Sequence, residues 1–239
     1  NYGVGVGLHD SSAALIPYLS NFHEPFILIS TGTWCISLNP FNHQPLTDTE
    51  LQHDCLCYMQ YKNKPVKASR LFAGFEHEQQ VKRIAAHFNQ NTLRYRSMEF
   101  DPAIGYKLFD AAQGTASWDK NQMKESAFAD RELMSFESDV HAYHQLIADL
   151  VAQQYESTIL VLKDTEVKRI FVDGGFSKNS IYMNLLALYF PDMEIFAASM
   201  AQATAVGTAL AIHNHWNTKP LPGDIIELKY YSITHNTAL

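Results

Sequence analysis

Ile170-Phe-Val-Asp-Gly-Gly-Phe-Ser-Lys-Asn179 is the stretch around which the chain is organised. Its first three residues are a short apolar run of strand type, and the run ends in a glycine pair. A helical pattern follows at once. Ile181, Leu185 and Leu188 recur at i, i+4 and i+7, with Ser177 placed to cap it. A strand that runs through two glycines into a helix start lets a ligand reach bare backbone, where helix N–H groups face it. The same pattern also fits an ordinary strand, turn and helix whose glycines serve only the turn, because short glycine motifs recur by chance.

Two stretches nearer the start bear on that choice. Tyr2-Gly-Val-Gly-Val-Gly-Leu-His-Asp10 reads as a strand with small residues on one face. Its spacing, Gly3-x-Gly5-x-Gly7, is not the dinucleotide fingerprint GxGxxG, and no strand precedes it. Ser11 and Ser12 can cap a short helix over residues 13–19. Residues 26–30 form a buried-type strand, Thr31-Gly-Thr33 a tight turn, and residues 34–38 the return strand of a hairpin, which Asn39-Pro40 ends.

From residue 40 to 67 the chain is polar and rich in turns. Cys55, Cys57, Met59 and Tyr61 alternate within it, which predicts one more strand. A metal site at His53, Asp54, Cys55 and Cys57 is the rival reading, but no second Cys/His pair follows at zinc spacing. Ala73-Gly-Phe-Glu76 precedes a helix that faces inward through Val81, Ile84, Ala85 and Phe88. Residues 90–135, with Gly105 and Gly114, read as loops and short helices.

The longest helix is expected over residues 138–162, with Val140, Tyr143, Ile147, Leu150, Val151 and Tyr155 on its core face. After the Ile170 strand and the Ile181 helix come a strand at 194–198 and an alanine-rich helix at 201–213. Gly207 inside that helix suits close packing. His213 and His215 read as a solvated helix end, and residues 225–231 as a last strand. Strands alternating with helices argue for an α/β layered sheet, and the hairpin argues that part of it is antiparallel.

The 239 residues suffice for one large domain or two small ones. A net charge of −7 gives no electrostatic footprint for nucleic acid or an anionic membrane. No apolar run approaches the roughly 18 residues of a spanning helix. Three cysteines are too few for a disulfide framework, which makes a reducing cytoplasm the expected location. The opening lacks a signal-peptide pattern and an initiator Met, and reads as the second half of something longer.

No GxxxxGK[ST], GxSxG or HExxH occurs, so the P-loop, the serine-hydrolase elbow and the zinc-protease helix have no support. Phosphate can still be held by backbone N–H groups in glycine-rich turns, here Thr31-Gly-Thr33 and Gly174-Gly175. Phosphoryl transfer needs positioning, Mg²⁺, donors to the phosphates, and a carboxylate for the attacking hydroxyl. Asp10, at the end of a glycine-rich strand, is placed to be that carboxylate, and equally to be no more than the cap of the next helix.

Four stretches in order resemble the C-terminal, nucleotide-binding domain of the FGGY family of carbohydrate kinases. They are Gly7-Leu-His-Asp10 with Ser-Ser-Ala-Ala after it, Ser30-Thr-Gly-Thr-Trp34, Asp173-Gly-Gly-Phe-Ser-Lys-Asn179, and Ala201-Gln-Ala-Thr-Ala-Val-Gly-Thr-Ala209. The His-Asp pair resembles the rhamnulose and fuculose kinases most, so the implied substrate is a ketose or deoxyketose. The resemblance implies an actin-like, ribonuclease H-like ATPase domain over residues 1–217, with an irregular insertion at about 40–135 and a tail at 218–239. It implies ATP and Mg²⁺, with Asp10 as the general base and His9 beside the sugar. Ser30, Thr31, Gly32 and Thr33 would face the phosphates. Gly174, Gly175, Phe176 and Asn179 would line the adenosine pocket, and Gly74 would stand ahead of its helix at the nucleotide. Phe176 replaces the third glycine usual there. No metal-ligating residue of this chain is implied, and part of the Mg²⁺ site would come from an N-terminal domain.

An N-terminal domain, in the same or a separate chain, would supply most sugar contacts, and the chain alone would be inactive. Homo-oligomerisation is left open. The rival reading is a non-catalytic nucleotide-binding module of the same fold.

Overall fold

A computed structural model describes residues 7–112, 126–200, 202–221 and 223–232. Most of the strand expected over residues 2–10 lies outside them, as do Gly114 and Ala201. The described strands are β1 (Phe26–Thr31), β2 (Cys35–Asn39), β3 (Cys55–Met59), β4 (Pro65–Leu71), β5 (Arg169–Gly174), β6 (Glu194–Ser199) and β7 (Glu227–Tyr231). They form one sheet in the order β3-β4-β2-β1-β5-β6-β7. The pairs β1–β5 and β5–β6 are parallel, and the other four are antiparallel. Helices separate the parallel strands, while the β1–β2 hairpin, the β3–β4 segment that follows it and the tail supply the antiparallel ones.

The helices are α1 (Asp10–Asn21), α2 (Asp48–Gln52), α3 (Ala73–His87), α4 (Pro102–Ala112), α5 (Asp139–Leu162), α6 (Ser180–Tyr189), α7 (Ala203–Ala211) and α8 (His213–Trp216). Strand β1 shows why its sequence is apolar throughout. Ile27 and Ile29 join a core with residues of α3, α5 and α6, while Phe26 and Leu28 join a second core with Leu15 and Tyr18 of α1. A strand buried on both faces has no polar alternation to show.

Strand β4 is absent from the sequence reading because Pro65, Lys67, Ser69 and Arg70 break any apolar pattern. Three of these polar groups have partners instead. Buried Lys67 donates to Glu50 at 2.8 Å, and Glu50 closes a capping box with Thr47 at the start of α2. Ser69 donates to the Ser157 carbonyl at 2.6 Å, and Arg70 donates through Nε and Nη2 to both oxygens of Asp54. The Ser69 bond belongs to a polar seam between the sheet and α5. Ser37 meets Thr158 at 2.7 Å, Gln154 donates to Ser37 at 3.0 Å, and Asn39 donates to the Val161 carbonyl at 2.9 Å. Helix α5 is therefore buried beyond the single expected face; Val140 and Tyr155, assigned to that face, are only half-buried.

On the other side of the sheet α1 crosses α7. Pro17 has no N–H to give to the Ala13 carbonyl one turn back. Gly207 packs against that bare carbonyl, and a Cβ on Gly207 would stand 1.8 Å from the oxygen. The close packing expected of Gly207 is thus contact between two helix backbones. The expected solvated pair at the end of this segment divides: His213 is buried and only His215 is exposed. Among the described residues no helix is long and apolar enough to cross a membrane.

Candidate functional site

Thr31, the last residue of β1, ties two turns together. It lies opposite Gly174 across the parallel β1–β5 pair. Its carbonyl accepts the Gly175 N–H at 2.9 Å. Its Oγ1 donates to the Asp173 carbonyl at 2.6 Å and accepts the Phe176 N–H at 3.0 Å. Gly174 has φ +93°, and a Cβ there would sit 1.9 Å from the Thr31 oxygen, so conformation and space both require glycine. The Gly174 N–H goes to Asp173 Oδ1 at 2.7 Å. Burial holds the Asp173 carboxyl above the ordinary carboxylate range, against the opposing pull of Tyr18 and this N–H.

These bonds correct one expectation. The N–H groups of Gly174, Gly175 and Phe176 all have partners within the chain, so this turn has no main-chain donors to spare for a phosphate. The hairpin turn differs. Gly32 donates to the Trp34 carbonyl at 2.8 Å, and Phe75 donates to the Thr33 carbonyl at 3.1 Å. Among the described residues no acceptor takes the Thr33 and Trp34 N–H groups. Helix α3 starts against this turn. Gly74 is its second residue rather than a residue ahead of it, and a Cβ on Gly74 would lie 1.8 Å from the Gly32 oxygen. A helix N-terminus beside a turn with unclaimed N–H groups is a setting for an anion.

Between these segments opens a cavity of about 650 Å³. Thr31, Gly32, Gly74, Gly175, Phe176 and Asn179, six of the residues singled out in the sequence, line it. Ser30, Thr33 and Gly174 are adjacent in the chain but not in the lining. His77, Tyr95, Tyr143 and the basic Lys82, Arg96 and Lys178 also line it, and of these only Lys178 lies within a quoted sequence motif, without a role assigned to it there. Tyr143 was legible only as core, and it is both: its ring is buried and its hydroxyl belongs to the site.

Asn179 is the N-cap of α6, correcting the expectation of Ser177, whose hydroxyl instead donates to the Gly174 carbonyl at 2.8 Å. Asn179 Oδ1 accepts the Tyr182 N–H at 3.1 Å, and Nδ2 donates to the Tyr143 hydroxyl at 2.8 Å. That hydroxyl also meets His77 Nε2 at 3.0 Å. Burial pushes the His77 pKa down to about 4, so the ring is neutral near pH 7.

His9 and Asp10 stand apart from the cavity lining. Helix α1 begins at Asp10 rather than at residue 13, and its N-cap is His9 rather than a serine. Asp10 Oδ1 accepts the Ser11 N–H at 2.7 Å and lies 2.8 Å from His9 Nδ1. The Asp10 side chain is 76% exposed. The His9 ring stacks on Tyr58 of β3 at 5.0 Å. Cys55 is buried and Cys57 exposed, Asp54 pairs with Arg70, and no cluster of three metal-binding side chains occurs among the described residues.

The pattern of the domain described as carbohydrate kinase FGGY, C-terminal domain, matches residues 23–220. No curated protein matches the chain. A carbohydrate kinase from Novosphingobium aromaticivorans superposes with a TM-score of 0.64 at 20% identity, over 95% of this chain and 46% of that one. A xylulose kinase from Bifidobacterium adolescentis gives 0.56 at 14% identity, over 92% and 42%. Plasmodium falciparum glycerol kinase with ADP gives 0.51 at 14%, over 87% and 42%. These likenesses are of fold, and the chain spans less than half the length of each of these structures.

Proposed function

This chain belongs to the FGGY family of carbohydrate kinases and has the actin-like ATPase fold of its C-terminal domain, and on that premise we propose that it is the nucleotide-binding half of an ATP-dependent sugar kinase. The observation that carries the proposal is the cavity itself. Three segments far apart in sequence, at Thr31–Gly32, Gly74 and Gly174–Gly175, come together there, with Gly74 against the Gly32 carbonyl and Gly174 against the Thr31 carbonyl, and leave a cavity of about 650 Å³ beside them. The site also sits where parallel strands end, the usual ligand position in such sheets. A glycerol kinase of this fold is known with ADP.

Ser30 to Thr33 and the start of α3 face the β- and γ-phosphates, with the free Thr33 and Trp34 N–H groups as donors. Gly174, Gly175, Phe176 and Asn179 form the adenosine side, where packing and shape replace main-chain donors. Asp10 is the general base for the sugar hydroxyl, and His9, stacked on Tyr58, lies beside the sugar. Mg²⁺ would be held chiefly by the nucleotide phosphates, and among the described residues no group of three metal-binding side chains occurs. When bound it neutralises charge on the transferred phosphoryl group.

Residues 1–217 form the nucleotide domain, and the tail at 218–239 returns β7 to its sheet. An N-terminal domain completes the sugar site, and without it the chain turns over poorly. The substrate is a ketose or deoxyketose, and the location is cytoplasmic. Calorimetric titration with MgADP tests the reading: the proposal expects binding that competes with MgATP. Absence of binding, both in this chain and in a protein that also carries an N-terminal domain, would reduce the likeness to fold alone.

A further inference from the structure

The bonds around Asn179 fix more than the start of α6. Its Oδ1 is taken by the Tyr182 N–H, so the amide on the Tyr143 side is the NH₂ group, a donor. The Tyr143 oxygen therefore accepts from Asn179 and has one hydrogen of its own to place. The remaining partner of that hydroxyl is His77 Nε2, 3.0 Å away. Tyr143 donates to it, Nε2 is the bare nitrogen, and the single ring hydrogen sits on Nδ1. A helix cap thus sets a histidine tautomer through a tyrosine.

Nδ1–H has no acceptor among the described residues. It is also not among the buried polar atoms that lack a partner, so it reaches open space. The ring it belongs to lines the cavity and stands edge-on to Phe176 at 5.1 Å. Glu78, the charged group that acts on this ring, is drawn to Lys82 at 2.6 Å. The ring stands against Phe176 and is tied through Tyr143 to Asn179, the side of the cavity read above as the adenosine side, so a donor of fixed direction there faces the nucleoside.

We infer that His77 is a specificity residue of the site, whose Nδ1–H donates to an acceptor atom of the nucleoside rather than to its phosphates. The inference rests on the nucleotide reading above. It adds a side-chain donor on the side where the N–H groups of Gly174, Gly175 and Phe176 are already taken.

Two measurements test it. The first needs no substitution: ¹⁵N-histidine NMR of the wild-type chain. The expected result is a His77 ring with hydrogen on Nδ1 and a bare Nε2, whose Nδ1 signal moves when MgADP is added. A hydrogen on Nε2, or an Nδ1 signal indifferent to saturating MgADP, overturns the inference. The second is MgADP titration of two variants. In His77→Asn the amide NH₂ takes the place of Nδ1–H; in His77→Gln it reaches the Tyr143 end instead. Loss of one neutral hydrogen bond predicts about five- to tenfold weaker MgADP binding in His77→Gln, with His77→Asn within about twofold of wild type. The opposite ranking would assign His77 a purely structural role. Absence of MgADP binding both in the wild-type chain and in a protein that also carries an N-terminal domain would remove the nucleotide reading itself, an outcome distinct from a reversed ranking.

Discussion

Asn179 and Asp10 both stand at the first turn of a helix, one inside the cavity and the other beyond it. Asn179 has both amide atoms committed, to Tyr182 and to Tyr143. Asp10 is exposed and, among the described residues, held only by its neighbours His9 and Ser11. The cavity wall is interlocked by bonds within the chain, while the α1 edge presents its carboxylate to solvent. Binding groups can be held rigid before a ligand arrives. A base that must receive a proton from a second substrate has to stay open to it. Substitutions on the two sides should therefore separate stability from turnover.

The largest effect expected is on the open side. In a two-domain protein carrying this chain, Asp10→Asn should lower sugar phosphorylation by about 10²- to 10⁴-fold while MgADP affinity stays within about twofold. Retained turnover would take the base away from Asp10. On the interlocked side, Gly174→Ala forces a methyl against the Thr31 carbonyl and should cost roughly 3–4 kcal/mol in denaturant unfolding, with loss of MgADP binding. An unchanged unfolding midpoint would show that this wall gives way.

The third expectation concerns pH. The folded pKa of His77, about 4, lies below its ordinary 6.5. Between these values the unfolded chain binds the proton and the fold does not. The His77 contribution is therefore complete above about pH 6.5 and declines, by up to about 3 kcal/mol, as pH falls to about 4. His77→Gln should flatten that part of the stability profile; equal slopes would mean that His77 titrates normally. Next, Asn179→Ala should cost about 1–2 kcal/mol through the lost cap and the Tyr143 bond, with Asn179→Asp recovering the cap alone. The smallest effect closes the comparison. Asp10→Asn should change unfolding free energy by no more than about 0.5 kcal/mol, because its side chain is exposed.

Much of this architecture could be read in the sequence. The β1–β2 hairpin, α5, β5 and the α6 pattern each announce themselves through apolar period and turn residues. Six of the residues that the family likeness names line one cavity. Strand β4 stayed hidden because its polar residues are satisfied by partners distant in the chain, and pattern reading counts polar residues as exposed. His77 and Tyr143 stayed hidden for a different reason. Each occupies an inward helix position where a core residue is expected, and only their meeting with Asn179, over spacings of 102 and 36 residues, makes them a site. The α6 cap was misplaced by two residues because the chain inserts a 3₁₀ turn, Phe176–Lys178, between glycine pair and helix.

The polar seam along α5 has a consequence for motion. A helix held by oil-like contacts alone can creep along a sheet, since one apolar ridge is much like the next. The seam acts as a key in a keyway. A slip of one turn, about 5.4 Å, would unseat Ser157, Thr158 and Gln154 together and leave their groups stranded without water. The amides in the middle of α5 should then exchange with deuterium only when the whole domain unfolds, and Tyr143, about one turn from the helix start, inherits its position from Gln154, Ser157 and Thr158 far down the same rod.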